Sequence, residues 1–390
     1  MILPTVLLAP IGWAQPAAPG VGRSPAVVSP EVLSDSRVTF RIAAPRAGSV
    51  TLNGGDIPGL GGPGAAQFTK NENGIWEATV GPVVPGAFRY VFQVDGVRTL
   101  DPVNTRVSES NTANWSLFYV PGLDFMDTKD VPHGAIASVY YRSGVLSATR
   151  RMHVYTPPGY EAGQQKYAVF YLLHGSGDTD DAWTSVGRAG FILDNMIAAG
   201  KVRPMIVVMP AGHQPTAANM GFGAQAPRSA DQPPPFTREF LDDVMPYVEK
   251  HYRTIPNRQH RAIAGLSMGG SQTLDIAFRH LKDFAYIGVF SSGSVLGGGR
   301  RPAPDAPVAQ SPRPDWEAVH QADLDNAALK KGTKLIWLST GSEDRLITNT
   351  KATVELLKKH GFDVVFKESP GAHTWLNWRN YLSEFAPQLF

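Results

Sequence analysis

Ser267 sits in Arg261-Ala-Ile-Ala-Gly-Leu-Ser-Met-Gly-Gly270, with a glycine two residues before it and another two after. That is the spacing G-x-S-x-G, and the chemistry it offers is attack by a serine hydroxyl on a carbonyl carbon. A short apolar run, Ala262 to Ala264, comes first, and a helix-like run, Ser271 to His280, follows. The arrangement predicts a strand turning sharply into a helix, with glycines where a Cβ would collide with neighbouring backbone. The turn lifts Oγ clear of the sheet. It also aims the N–H of Met268 and the helix N-terminus at the oxyanion formed on attack. The five-residue pattern arises often by chance. The strand before it, the helix after it and the further glycine at 270 give it weight.

A serine hydroxyl needs a base, a carboxylate to orient that base and a second oxyanion donor. Of ten histidines, His320, His360 and His373 lie well beyond the elbow and outside its helix. His320 falls in a predicted surface helix. His360 closes Lys358-Lys359-His360-Gly361, a helix end where a cation is favoured. His373, in Ser369-Pro-Gly-Ala-His373, follows the last apolar strand and so shares the serine's sheet edge; it is the candidate base. The strand Leu335 to Thr340 runs into Gly341-Ser342-Glu343-Asp344, and both Glu343 and Asp344 qualify as the carboxylate. The second donor is expected in Leu172-Leu173-His174-Gly175-Ser176-Gly177, whose Gly175 lets the backbone close on a substrate and whose Ser176 offers an N–H. His174 is a candidate pocket residue, although packing or fixing the loop is its more ordinary role. Asp178, Asp180 and Asp181 precede Trp183 with no histidine spacing beside them, which reads as helix capping rather than a metal site. None of these residues calls for a cofactor or metal.

These groups need a sheet to carry them. Apolar runs at Tyr167–Leu173 and Met205–Met209 read as strands buried on both faces, with further strands at Arg151–Thr156, Ala262–Ala264, Ala285–Phe290, Leu335–Ser339 and Val364–Lys367. Helical periodicity lies between them at Phe191–Ala199, Phe236–Tyr252, Ser271–His280, Thr348–His360 and Trp375–Phe385. Alternation of this kind over some 250 residues predicts an α/β domain with a largely parallel sheet. Upstream, short alternating runs at Arg37–Ala43, Ser49–Asn53, Gly74–Val80, Phe88–Val94, Val97–Leu100 and Trp115–Val120 predict a small β-sandwich. The expected organisation is residues 1–15 a signal peptide, 16–30 a linker, 31–122 the β-sandwich and 123–390 the α/β domain. Two Pro-, Ala- and Gly-rich inserts, 213–235 and 297–314, are expected to border the substrate.

The bulk properties narrow the class. With 43% hydrophobic and 18% charged residues, a net charge of +2 and no long basic run, the chain offers no surface for nucleic acid or an acidic membrane. It has no cysteine, which excludes disulfides, thiolate metal sites and a cysteine nucleophile. The apolar stretch Ile2 to Trp13 followed by Gln15-Pro16 resembles a secretory signal lacking its basic start, and a secreted or periplasmic location is expected.

Together, H-G-S-G-D, R-A-I-A-G-L-S-M-G-G, G-S-E-D and G-A-H-T-W-L-N-W-R resemble the esterase-D/enterochelin-esterase-like branch of the α/β-hydrolases, which includes bacterial feruloyl and acetyl xylan esterases. Val38–Pro45, Gly74–Trp76, Pro85–Gly96 and Asp101–Asn104 are similar to the early-set, immunoglobulin-like module that precedes the hydrolase in such esterases. The resemblance implies Ser267, Asp344 and His373 as the triad, with Met268, Gly175 and Ser176 forming the oxyanion hole. It implies a serine carboxylic-ester hydrolase releasing hydroxycinnamate from arabinoxylan, with acetyl-xylan, siderophore or aryl esters as alternatives. A non-catalytic carbohydrate-binding protein and an acyltransferase are remoter readings. Early-set modules are related to glycogen-binding domains, so Trp76 and Trp115 are candidates for weak carbohydrate contact, against a core role. Trp375 is a candidate wall for a planar acyl group, whereas Trp378 reads as a pin for the C-terminal helix.

Overall fold

The computed structural model describes residues 27–60, 66–214, 232–294 and 315–390. The expected signal peptide, most of the linker, the insert 297–314 and most of the insert 213–235 lie outside the described residues. The last residues of the expected linker belong to the fold: Ser29 is buried and donates to Asp101 Oδ2 at 2.6 Å.

The described residues between 31 and 120 form two antiparallel sheets. One contains Glu31–Val32, Val38–Ala43, Ile75–Val80 and Thr69–Lys70; the other contains Val50–Asn53, Gly86–Val94, Trp115–Val120 and Val107–Ser108, with Val97–Thr99 on Gly86–Val94. Alternate residues of both, including Phe40, Ile42, Leu52, Phe88, Tyr90, Phe92 and Phe118, form a single core between the sheets. The described residues thus show a sandwich where alternation predicts one.

The second unit is an eight-stranded sheet. Its strands are β1 (Ala135–Ser143), β2 (Ala148–Thr156), β3 (Ala168–Leu173), β4 (Met205–Pro210), β5 (Arg261–Leu266), β6 (Tyr286–Phe290), β7 (Leu335–Gly341) and β8 (Val365–Ser369). They run in the order β1-β2-β4-β3-β5-β6-β7-β8, and all pairs beyond β2–β4 are parallel. The continuous apolar runs are explained by burial on both faces. Val169, Tyr171, Ile263, Ile287 and Leu338 enter one core, while Phe170, Leu172, Ala264, Phe290 and Trp337 enter the other. Strand β1 was not expected. It is an edge strand with most of its side chains exposed, so it carries no apolar alternation.

The helical run expected at Phe236–Tyr252 is interrupted. It comprises Pro235–Glu239, a π-helical turn Phe240–Val244 and Met245–His251. Pro246 has no N–H and its ring crowds the carbonyl one turn back, which favours local widening of the ladder. His320 is in a helix, Trp316–Leu324, but not on its surface. Its ring stacks on Trp316 and its Nε2 lies 3.4 Å from Asp275, so the side chain is buried. His360 caps the helix Ile347–Lys359 and bonds Asp325 and Glu317.

The sandwich and the sheet unit are packed together. Leu117, Tyr119 and Leu123 lie on the core beneath the helix Trp375–Phe385. From that helix the buried Arg379 donates to Ala87 O at 3.1 Å and to Val186 O at 2.8 Å. The three aspartates read as helix caps are mainly part of this junction. Asp178 pairs with Arg89 of the sandwich at 2.6 Å, Asp180 pairs with Arg151 and His153, and Asp181 accepts from the N–H of Glu109 at 2.9 Å. Among the described residues no cluster of three or more His, Asp or Glu side chains could hold a metal ion, and no helix is long and apolar enough to cross a membrane.

Candidate active site

Ser267 follows β5 with φ 52° and ψ −115°, a left-handed conformation that a side chain other than glycine adopts at a cost. Two close approaches enforce it. A Cβ on Gly265 would lie 2.3 Å from the carbonyl of Gly269, and one on Gly269 would lie 2.6 Å from the carbonyl oxygen of His174. The helix Met268–Arg279 starts at the next residue. The Met268 N–H therefore belongs to the first turn, whose donors have no partner within the helix.

His373 follows β8 and Asp344 follows β7. Their loops are stitched together by Ser342 N–H to Ser369 O at 2.7 Å and Glu343 N–H to Gly371 O at 3.0 Å. That approach requires glycine at 341, where a Cβ would sit 2.0 Å from Gly371 O. His373 Nε2 is 3.0 Å from Ser267 Oγ, and its Nδ1 is 2.9 Å from Asp344 Oδ2. Three strand ends far apart in sequence thus deliver one hydroxyl–imidazole–carboxylate chain. Asp344 is buried and Glu343 is exposed, and of the two it is Asp344 that meets the imidazole. Burial pushes the Asp344 carboxyl up, but bonds from His373, the Leu346 N–H and Ser291 outweigh it and hold it below its ordinary value. An imidazole with its proton on Nδ1, facing the carboxylate, leaves Nε2 to accept from the serine.

Gly175 lies against the serine: a Cβ on it would be 3.6 Å from Ser267 Cβ. Ser176 follows on the exposed outer side of the loop. His174, expected at the pocket, is 2% exposed and spans two loops. Its Nδ1 donates to Gly175 O at 2.8 Å and its Nε2 accepts from the Gly212 N–H at 2.8 Å. Burial draws its pKa down to about 4, so it is neutral and holds the loop rather than facing a substrate. Trp375, expected as a wall, is also 2% exposed and packs edge-on against Trp183 and Trp378 in the core. Trp378 does more than pin its helix: its ring meets that of His373 edge-to-face at 5.0 Å, and its Nε1 donates to Ser291 Oγ. Ser291 was not singled out in the sequence. Its one local signal is its place just past β6, on the functional edge.

Residues 143–389 match the Esterase family, and the chain belongs to that family. It is 32% identical over 371 residues to an endo-1,4-beta-xylanase/feruloyl esterase of Xylanibacter ruminicola, a match covering 93% of this chain and 46% of that protein. It is 28% identical over 269 residues to endo-1,4-beta-xylanase Y of Acetivibrio thermocellus, covering 63% of this chain and 22% of that one. The chain thus spans less than half the length of these two relatives. Among solved structures, it resembles the feruloyl esterase module from Clostridium thermocellum complexed with sinapinate, at 25% identity and a TM-score of 0.53, covering 73% of this chain and 95% of that one. The enterobactin esterase of Shigella flexneri shares the fold at 17% identity and a TM-score of 0.60, over 90% of this chain and 92% of that one.

Proposed function

We propose that this chain is a serine carboxylic-ester hydrolase whose substrates are hydroxycinnamoyl esters, feruloyl esters of arabinoxylan foremost. The observation that carries the chemistry is the chain Ser267 Oγ, His373 Nε2, His373 Nδ1, Asp344 Oδ2, with consecutive distances of 3.0 and 2.9 Å on either side of the ring. In this reading His373 takes the proton as Ser267 attacks the ester carbonyl. The N–H groups of Met268 and Ser176 receive the oxyanion, and His373 returns the proton to the departing alcohol. Water then repeats the sequence on the acyl-enzyme. The substrate class rests on relatives named as feruloyl esterases. A polymeric plant ester accords with the exported location expected from residues 1–15.

The sandwich is read as an early-set, immunoglobulin-like module. Both tryptophans proposed for sugar contact have a cation over the ring, Lys70 on Trp76 at 5.5 Å and Arg98 on Trp115 at 4.9 Å, which favours a structural role over sugar stacking. A siderophore-type ester is the second reading, supported by the enterobactin esterase fold extending over both units.

The test is the initial rate on methyl ferulate, enterobactin and p-nitrophenyl acetate, with Ser267→Ala as control. A preference in kcat/KM for ferulate, abolished in the variant, is expected. Preference for enterobactin would transfer the assignment to the second reading. Unchanged activity in Ser267→Ala would remove the site altogether.

A further inference from the structure

We propose that Asn111, a residue of the sandwich, positions the oxyanion loop of the hydrolase, so that the donor at Ser176 is set from outside the sheet that carries the nucleophile. This rests on the reading of Ser267 as nucleophile and Ser176 N–H as oxyanion donor.

Two consecutive peptide planes decide where the Ser176 N–H points. The first joins Gly175 to Ser176 and contains that N–H. Its carbonyl, Gly175 O, accepts from His174 Nδ1 at 2.8 Å and from the Asp178 N–H at 3.2 Å. A trans peptide is planar, so fixing the carbonyl sends the N–H the opposite way. The second plane joins Ser176 to Gly177, and its carbonyl, Ser176 O, accepts from Asn111 Nδ2 at 2.7 Å. The backbone N–H of Asn111 also donates to Gly177 O at 3.3 Å, and Ser110 bridges Asp178 as a short antiparallel pair. Ser176 is held between two fixed planes, one tied to the hydrolase core and the other to the sandwich.

The amide is the side-chain tie of the sandwich on this loop; beside it stand the Asn111 N–H on Gly177 O and the His213 ring facing the backbone of Ser176 and Asp178. Ser176 and Gly177 are exposed, and a Cβ built on Gly177 meets no atom within 4 Å. The junction itself does not depend on the Asn111 amide. Arg89 pairs with Asp178 at 2.6 Å, Glu109 N–H reaches Asp181, and Ser108 and Ser185 share a hydrogen bond at 2.8 Å. Removing the amide therefore loosens the second plane, which keeps only the weaker ties around it, while the two units stay joined. A donor displaced by a fraction of an ångström still permits substrate to bind but serves the oxyanion poorly.

The experiment uses the full chain with Asn111→Ala and Asn111→Asp, the second keeping the shape of the side chain but lacking the N–H donor. It measures kcat and KM on methyl ferulate, inhibition by an aryl boronic acid that forms a tetrahedral adduct with a serine hydroxyl, and thermal melting. Expected for both variants is a fall in kcat of about tenfold or more, below the roughly 10²–10³ lost when a donor is removed outright. Boronate affinity falls in parallel, while KM stays within about twofold, as for an interaction made only in the transition state. Melting remains that of the parent protein. Parent-like kcat and boronate affinity in both variants, with Ser267→Ala inactive, would overturn this inference and leave the site standing. So would a rise in KM alone, which would make Asn111 a substrate contact. Full activity in Ser267→Ala would instead overturn the site, and this inference with it.

Discussion

Trp378 donates its indole N–H to Ser291 Oγ at 3.0 Å, and the Ser291 hydroxyl is among the groups that hold the Asp344 carboxyl below its ordinary value. The same indole meets the His373 ring edge-to-face. One tryptophan of the C-terminal helix thus stands beside both the proposed acid and the proposed base. Ser291→Ala removes one of the groups that lower the Asp344 carboxyl and leaves the bonds from His373 and the Leu346 N–H in place. A lost bond to a charged group, at ~1.5 kcal/mol, predicts a fall in kcat of about tenfold. Trp378→Phe keeps an aromatic ring but removes the donor, and a comparable fall is expected. Steady-state kinetics on methyl ferulate checks both, and parent-like rates would show that Asp344 is held without Ser291.

The two adjacent carboxylates should separate sharply. Asp344→Asn preserves shape but favours the wrong imidazole tautomer, and kcat is expected to fall by about 10⁴. Exposed Glu343→Gln should leave kcat within about twofold, as for surface substitutions generally. Equal losses in the two variants would show that the acid has been misassigned.

Acid stability is expected to respond to His174. Burial holds its pKa at about 4 in the fold, against an ordinary 6.5. Between those values the unfolded chain takes up a proton that the folded chain refuses, so stability falls with falling pH across that window. The contribution is whole above 6.5 and fully lost by about 4, and its size is on the order of 3 kcal/mol. Asp344, whose pKa is lowered, acts below this window: its stabilisation is present above about 3.8 and lost as the carboxylate protonates. Urea unfolding at pH 7 and 4.5 checks the histidine effect. His174→Asn should be less stable at pH 7 but lose less between the two conditions.

Arg379 carries a buried charge across the junction, and burial pulls its pKa down to about 10. Arg379→Ala removes the donor shared by Ala87 O and Val186 O, and a loss of roughly 2–4 kcal/mol is expected. Arg379→Met, which retains bulk without a charge to desolvate, should lose less. Chemical unfolding measures both, and unchanged stability in Arg379→Ala would show that the junction does not need the guanidinium.

The sequence revealed those features whose signals are local. The elbow, the apolar strands that carry it and the helix Trp375–Phe385 could be read from spacing and periodicity alone. Edge strand β1 could not, because an exposed strand has no apolar pattern to display. The partners of Asp178 were equally hidden: Arg89 lies 89 residues upstream, so an acidic turn looked like a helix cap. Spacing alone leaves Glu343 and Asp344 equivalent; the family resemblance points to Asp344, and in the fold it is Asp344 that is buried against the imidazole. Ser291 acts only because the fold brings an indole and a carboxylate to either side of it.

The left-handed backbone at Ser267 has a consequence on an evolutionary scale. A non-glycine residue in such a conformation carries strain of about 1–3 kcal/mol, which glycine at the same position would relieve. Substitution of the proposed nucleophile by glycine would thus be rewarded with stability at the moment turnover disappears. If Ser267 is the nucleophile, only selection for turnover opposes that drift of the scaffold. Relatives released from that selection are expected to become robust, inert folds at this position first.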